Sequence, residues 1–144
     1  LIELLVVIAI IAILAAIGIP RMSRGSKGAN DAAVSGNLSV LRNAIDLFSA
    51  EHGGAYPTVT DIEDQLTLYS DVSGATNATK TATHIYGPYL RKVPPLTVGT
   101  RKGESGIAAA DANDVGWIYT EASGDIRTNT TTETDDAGVL YSDY

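Results

Sequence analysis

Residues 1–19 read LIELLVVIAIIAILAAIGI, seventeen of them apolar, with Glu3 and Gly18 the exceptions. As a helix this run is about 28 Å long, close to the roughly 30 Å hydrocarbon core of a bilayer. It is greasy on every side, so it has no face to give to water. Such a segment must lie in lipid or be enclosed by other protein, and this limits the chain more than anything after it. Arg21, Arg24 and Lys27 follow at once, which suits a helix leaving an apolar layer. A cleaved secretory signal has the opposite order, with basic residues before the apolar run and a small-residue cleavage site after it. Glu3 is the anomaly. A carboxylate at the centre of a bilayer costs about 2.5–3.5 kcal/mol or more, so a plain anchor gains by losing it. Either Glu3 sits at the interface in water, or it needs a cation supplied by another chain.

The rest of the chain has the opposite character. Residues 1–30 carry one acid and three bases, whereas residues 31–144 carry sixteen acids and seven bases. This acidic exterior argues against a nucleic-acid partner, which needs a basic face to displace counterions. Cysteine is absent, which removes disulfides, thiol nucleophiles and thiolate metal sites. His52 and His84 are the two histidines. They form no recognisable catalytic order with Ser and Asp, and no Gly-rich phosphate loop is present, so no enzyme activity is expected. The nine aromatics are thin along the chain, and none precedes Phe48, so residues 1–47 offer no aromatic stack.

From Ala29 an amphipathic pattern begins. Val34, Leu38, Leu41, Ile45 and Phe48 step by 4, 3, 4 and 3, one stripe of a helix facing a core. His52-Gly53-Gly54 ends it with glycines where a helix stops. Three regions follow: 1–28, a hydrophobic segment with a kink at Pro20; 29–52, the amphipathic half of the same helix; and 53–144, a head. In the head, Thr60 and Glu63 have capping-box spacing and predict a short helix over about 61–69. The Ser/Thr/Asn-rich stretch 70–83 reads as a surface loop. Segment 87–95, with Pro88, Pro94 and Pro95, reads as irregular. Residues 116–120 and 125–128 read as a β-hairpin closed by 121–124. The acidic, Thr-rich tail 130–144 is expected to be surface loop or partly disordered, with 139–141 docking back.

The run Leu1 to Ile17 followed by Pro20 resembles the mature amino terminus of type IV pilins and type II secretion pseudopilins. That family's mature chain opens Phe-Thr-Leu-Ile-Glu with an N-methylated Phe, so Leu1 matches its third position. The Tyr56-Pro57-Thr58, Gly87–Pro94 and Gly116–Tyr119 elements resemble, more loosely, the head of the major pseudopilin. The resemblance implies an α+β pilin fold: a long hydrophobic N-terminal helix whose C-terminal half packs on a small antiparallel sheet. It implies that Glu3 pairs with the terminal ammonium of a neighbouring subunit, which makes a buried carboxylate tolerable. It also implies that Pro20 kinks the helix. Physics supports the kink, because proline lacks an N–H and crowds the carbonyl four residues earlier, and Gly18 loosens the same turn. Bending or local melting is expected around residues 16–20.

The implied partners are further copies of the chain in a helical filament, the inner membrane before assembly, and an assembly machinery. The implied destination is an extracellular pilus or a periplasmic pseudopilus. A non-polymerising, single-pass anchored binding or enzyme domain is the alternative. Major pseudopilins often hold calcium, and Asp111, Asn113 and Asp114 offer hard oxygens in a loop before a strand. Six or more oxygens are required and only three side chains can be named, so a solvated acidic turn is the expectation and calcium the alternative. Asn37, Asn77 and Asn129 match the N-glycosylation acceptor pattern. The pattern is short, Asn37 falls within a helix, and the unmodified side chain is the expectation at each.

Overall fold

A computed structural model of the chain describes residues 1–16 and 27–144. Two helices come first, α1 (Ile2–Glu51) and α2 (Ile62–Thr67). A two-stranded antiparallel sheet, β1 (Tyr69–Ser70) with β2 (Thr76–Asn77), follows. A three-stranded sheet of β3 (Gly106–Ala108), β4 (Val115–Thr120) and β5 (Asp125–Thr128) comes next, in the order β3-β4-β5, and a 3-10 turn, Tyr141–Asp143, closes the chain. The class is α+β: an N-terminal helix carrying small sheets.

The helical stripe is the organising contact. Val34, Leu38, Leu41, Ile45 and Phe48 are each at most 2% exposed. They share one core with Ile62 and Leu66 of α2, Leu96 and Val98 between the irregular segment and β3, and Trp117, Tyr119 and Ile126 of the larger sheet. Polar ties border this seam. Arg42 donates to the Ile126 carbonyl at 3.2 Å and the Tyr144 carbonyl at 2.5 Å, and Asn37 Nδ2 donates to the Pro95 carbonyl at 3.1 Å. The helix stops where the glycines are: Gly53 and Gly54 take φ of +68° and +90°, and the Gly54 N–H bonds the Ser49 carbonyl at 2.8 Å. That bond is the six-to-one closure of a Schellman end, which needs the left-handed backbone that glycine adopts without a Cβ penalty.

In β5 the alternation is clean. Ile126 faces the core while Asp125 and Arg127 face water, as a strand with one wet face requires. β4 and β5 form the expected antiparallel hairpin, Trp117 opposite Thr128. The antiparallel expectation fails for the third strand, because β3 runs parallel to β4, with a register irregularity between Gly106 and Ile107. A parallel neighbour ordinarily demands a long crossover. Here the strand is three residues, about 10 Å at about 3.3 Å each, and residues 109–114, up to about 20 Å extended, suffice to return. The backbones approach closely at this corner: a Cβ on Gly116 would lie 2.2 Å from the Glu104 carbonyl oxygen.

Three local expectations are corrected. The capping box does not form. Asp61 is the N-cap of α2, without a side-chain cap bond, and the helix covers 62–67. Glu63 Oε1 instead accepts from the Ile107 backbone N–H at 2.9 Å, joining α2 to β3, because an unpaired strand amide outcompetes a cap bond open to water. The stretch 70–83 is not loop throughout, since β2 lies in it. The turn before β2 is held by Asp71, whose Oδ1 accepts from Ser73 N at 2.8 Å and Ala75 N at 3.1 Å.

The tail is the third correction. It is an ordered strap rather than a loose loop. Tyr141 is 3% exposed and its hydroxyl donates to Asp31 of α1. Tyr144 donates to Asp135 at 2.6 Å, and Lys27 lies 3.1 Å from Asp136. Of the three residues expected to dock back, Tyr141 does so and Val139 stays 45% exposed. Segment 87–95 is irregular, as expected.

Candidate functional site

The feature that asks for an explanation is the first part of α1. Residues 1–16 are all exposed, and eleven large aliphatic side chains between Leu1 and Leu14 keep half or more of their surface. Each Leu, Ile or Val taken fully out of water is worth about 1.5–3 kcal/mol, so the set amounts to on the order of 20 kcal/mol. A monomer in water rarely leaves an apolar patch beyond a few hundred Å² uncovered, and here the patch surrounds a rod. Glu3 is the one charged side chain among residues 1–16. It lies in the first turn of the helix, where the partial positive charge of the helix N-terminus favours it. It is exposed and makes no ion pair among the described residues. The rod thus combines an all-round apolar surface with one unpaired carboxylate.

Gly18 and Pro20, with the bend expected around them, lie outside the described residues. Among the described residues no helix is long and apolar enough to cross a membrane. The run expected to do so includes residues 17–19, which fall outside them.

Asp111, in the same loop as Asn113 and Asp114, is held by a side chain that sequence reasoning missed. Arg101 bonds Asp111 Oδ1 through Nε at 3.0 Å and Nη2 at 2.7 Å, and its Nη1 lies 3.5 Å from Glu104. Asn129 Nδ2 adds a third bond to the same Asp111 oxygen at 2.8 Å. The Asn129 bond and then the guanidinium hold the Asp111 carboxyl below its usual range, because both favour the charged form. A fixed cation therefore stands where calcium needs converging oxygens, and calcium does not fit this donor set. Among the described residues no group of three or more His, Cys, Asp or Glu could hold a metal.

Of the glycosylation candidates, Asn129 is 7% exposed, with Nδ2 also bonded to the Val115 carbonyl at 2.7 Å. It is a structural side chain and no acceptor while the chain is folded. Asn77 stands at the edge of the small sheet, half-buried, with exposed residues after it.

A serine–histidine pair also emerges. His52 Nε2 lies 3.1 Å from Ser70 Oγ and 2.9 Å from the Asp71 carbonyl, and Nδ1 lies 2.7 Å from the Phe48 carbonyl. Ser70 is fully buried, and the imidazole stacks on Phe48 with centroids 3.8 Å apart. The ring nitrogen that a catalytic carboxylate orients in a triad meets a carbonyl here, and a substrate has no path to the hydroxyl. The pair fastens the end of α1 to β1. Sequence offered no signal for it, because Ser70 lies eighteen positions after His52.

An open cleft lined by Glu63, Asp64, Arg91 and Lys92 lies beside α2. It presents mixed charge without a nucleophile–base pair. The geometry thus concentrates its unmet demand on the rod of residues 1–16. No family model, curated protein or solved structure matches the chain.

Proposed function

We propose that the chain is a structural subunit that polymerises through its N-terminal helix into a type IV filament, a pilus or a pseudopilus. The single observation carrying this reading is the rod of residues 1–16, exposed and apolar on every face yet bearing Glu3. The resemblance of Leu1–Ile17 and Pro20 to pilins and pseudopilins supports it. So does a head of small sheets packed on residues 34–48 of the same helix, in line with the helix-and-sheet architecture that the resemblance implies. Before assembly the rod is covered by the inner membrane; afterwards it is covered by the rods of other copies in the filament core. Transfer from lipid gains little from the hydrophobic effect, since lipid is already apolar. Register must therefore come from packing and from Glu3 meeting an ammonium on a neighbour, with an assembly machinery supplying work. No metal and no catalytic step enters this reading.

The test is electron microscopy of the purified full chain and of Glu3→Leu. The expected result is helical filaments with axial helices for the unsubstituted chain. For the variant the expected result is membrane-held subunits that fail to enter filaments, since removing one partner of a buried ion pair costs about 3–5 kcal/mol. Filaments formed equally well by Glu3→Leu, or a chain that stays monomeric in the membrane under assembly conditions, would refute it. The second outcome describes a plain anchored domain.

A further inference from the structure

The three Asn-x-Ser/Thr patterns are equivalent as sequence, but the fold makes them unequal. An acceptor must present its amide nitrogen to an enzyme and to an activated sugar, with the Ser/Thr hydroxyl two residues on free to engage the carboxamide. At Asn37 the amide nitrogen donates to the Pro95 carbonyl at 3.1 Å, and the partner hydroxyl, Ser39 Oγ, turns to the Ser35 carbonyl at 2.9 Å. At Asn129 the nitrogen bonds Asp111 at 2.8 Å and the Val115 carbonyl at 2.7 Å in a buried position. Both are closed by bonds that hold the head together.

Asn77 is arranged differently. Its Oδ1 accepts from the Thr79 backbone N–H at 3.0 Å and from Thr79 Oγ1 at 3.2 Å. A backbone N–H only donates, so this bond fixes which end of the carboxamide is oxygen. The nitrogen is then turned away from Thr79 and makes no hydrogen bond among the described residues. Asn77 ends β2 at an open edge of the two-stranded sheet, and residues 78–83 beyond it are exposed. The pattern, the hydroxyl contact, the available nitrogen and the open approach coincide at one position.

We propose that Asn77 is an acceptor site for an N-linked glycan and that Thr79 is its positioning residue. The donor class is a sugar carried on a polyprenyl diphosphate, delivered by an oligosaccharyltransferase. Asn77 Nδ2 forms a bond to the anomeric carbon of the sugar. The bond from that carbon to the diphosphate oxygen breaks and the diphosphate leaves with its electron pair. One proton of Nδ2 passes to a base of the transferase. Asn37 and Asn129 remain unmodified in the folded chain. This assignment stands on the head alone and is independent of whether the chain polymerises.

The experiment uses the folded full chain in detergent. It is incubated with a purified oligosaccharyltransferase and a polyprenyl-diphosphate-linked glycan, and read by intact mass and by mass spectrometry of the peptide containing Asn77. A free acceptor peptide serves as the activity control. The expected result is a single glycan mass added at Asn77. Asn77→Gln and Thr79→Val abolish it, Thr79→Ser retains it, and Thr131→Ala, which destroys the pattern at Asn129, leaves it unchanged. Fluorescence of Trp117 verifies that each variant is folded. An unmodified folded chain alongside a modified control peptide overturns the proposal. So does a glycan found on Asn37 or Asn129, or full modification of folded Thr79→Val.

Discussion

Phe48 is where the dependence of the head on the helix can be measured. Its side chain is 2% exposed. One face stacks on His52 at 3.8 Å between centroids, and its ring meets Tyr89 edge-on at 5.9 Å. Phe48→Ala removes the transfer free energy of a large apolar group and leaves a cavity, together about 3–5 kcal/mol; the aromatic pairs, about 0.5–1.5 kcal/mol each, lie within that sum. The expected loss is about 4 kcal/mol. Phe48→Leu keeps part of the volume and is expected to lose about 1–2 kcal/mol, near the limit for shape-changing core swaps. Trp117, the single tryptophan, is fully buried and donates to the Pro94 carbonyl at 2.8 Å, so its fluorescence reports the packing of the sheet on the helix. In a urea melt of the full chain in detergent, a slope of about 2 kcal/mol/M converts the Phe48→Ala loss into a midpoint shift of about 2 M. A shift below about 0.5 M with unchanged slope would refute the argument, because it would mean that the head keeps its stability without this contact.

Other positions give sharper contrasts. Gly116→Ala drives a Cβ to 2.2 Å from the Glu104 carbonyl oxygen, a clash of backbone that no rotamer relieves, and is expected to cost about 2–3 kcal/mol in the same melt. By comparison Gly36→Ala, where a Cβ meets nothing within 4 Å on an exposed helix face, is expected to stabilise by up to about 1 kcal/mol.

The Glu133 carboxylate accepts backbone N–H bonds from Thr132, Thr131 and Thr100 and is held at about 2 against a usual 4.5. A depressed carboxylate adds stability that is complete above its unfolded value and lost as pH falls from about 4.5 through about 2. Glu133→Gln is therefore expected to flatten the acid limb of midpoint against pH. Chelator or added calcium is expected to leave the melting midpoint unmoved, whereas Arg101→Ala is expected to lower it, because the guanidinium rather than a metal holds Asp111.

Much of the architecture was legible wherever the determining interaction is local or periodic. The 4-3-4-3 stripe from Val34 to Phe48 marks its own core face, because a helix has one repeat and a single buried side. Gly53 and Gly54 announce the helix end through the backbone they alone adopt cheaply. The hairpin of β4 and β5 follows from two runs of strand-forming residues joined by the turn at 121–124. The parallel placement of β3 was not legible, since a three-residue strand carries too little pattern to choose a neighbour. The capping box misled for a related reason: Glu63 had a better partner forty-four residues away, at Ile107.

The candidate sites divide along the same line. By itself the sequence determined that residues 1–19 are apolar on every side of a helix, with Glu3 the one charged side chain among them. That follows from composition and helix geometry, which need no knowledge of neighbours. Only the tertiary structure decided that Arg101 takes Asp111, that Asn129 is locked inside while Asn77 is open, and that the tail is a strap across α1. Those outcomes depend on which long-range donors and acceptors meet, and a polar side chain reveals its partner only after folding has brought the two together.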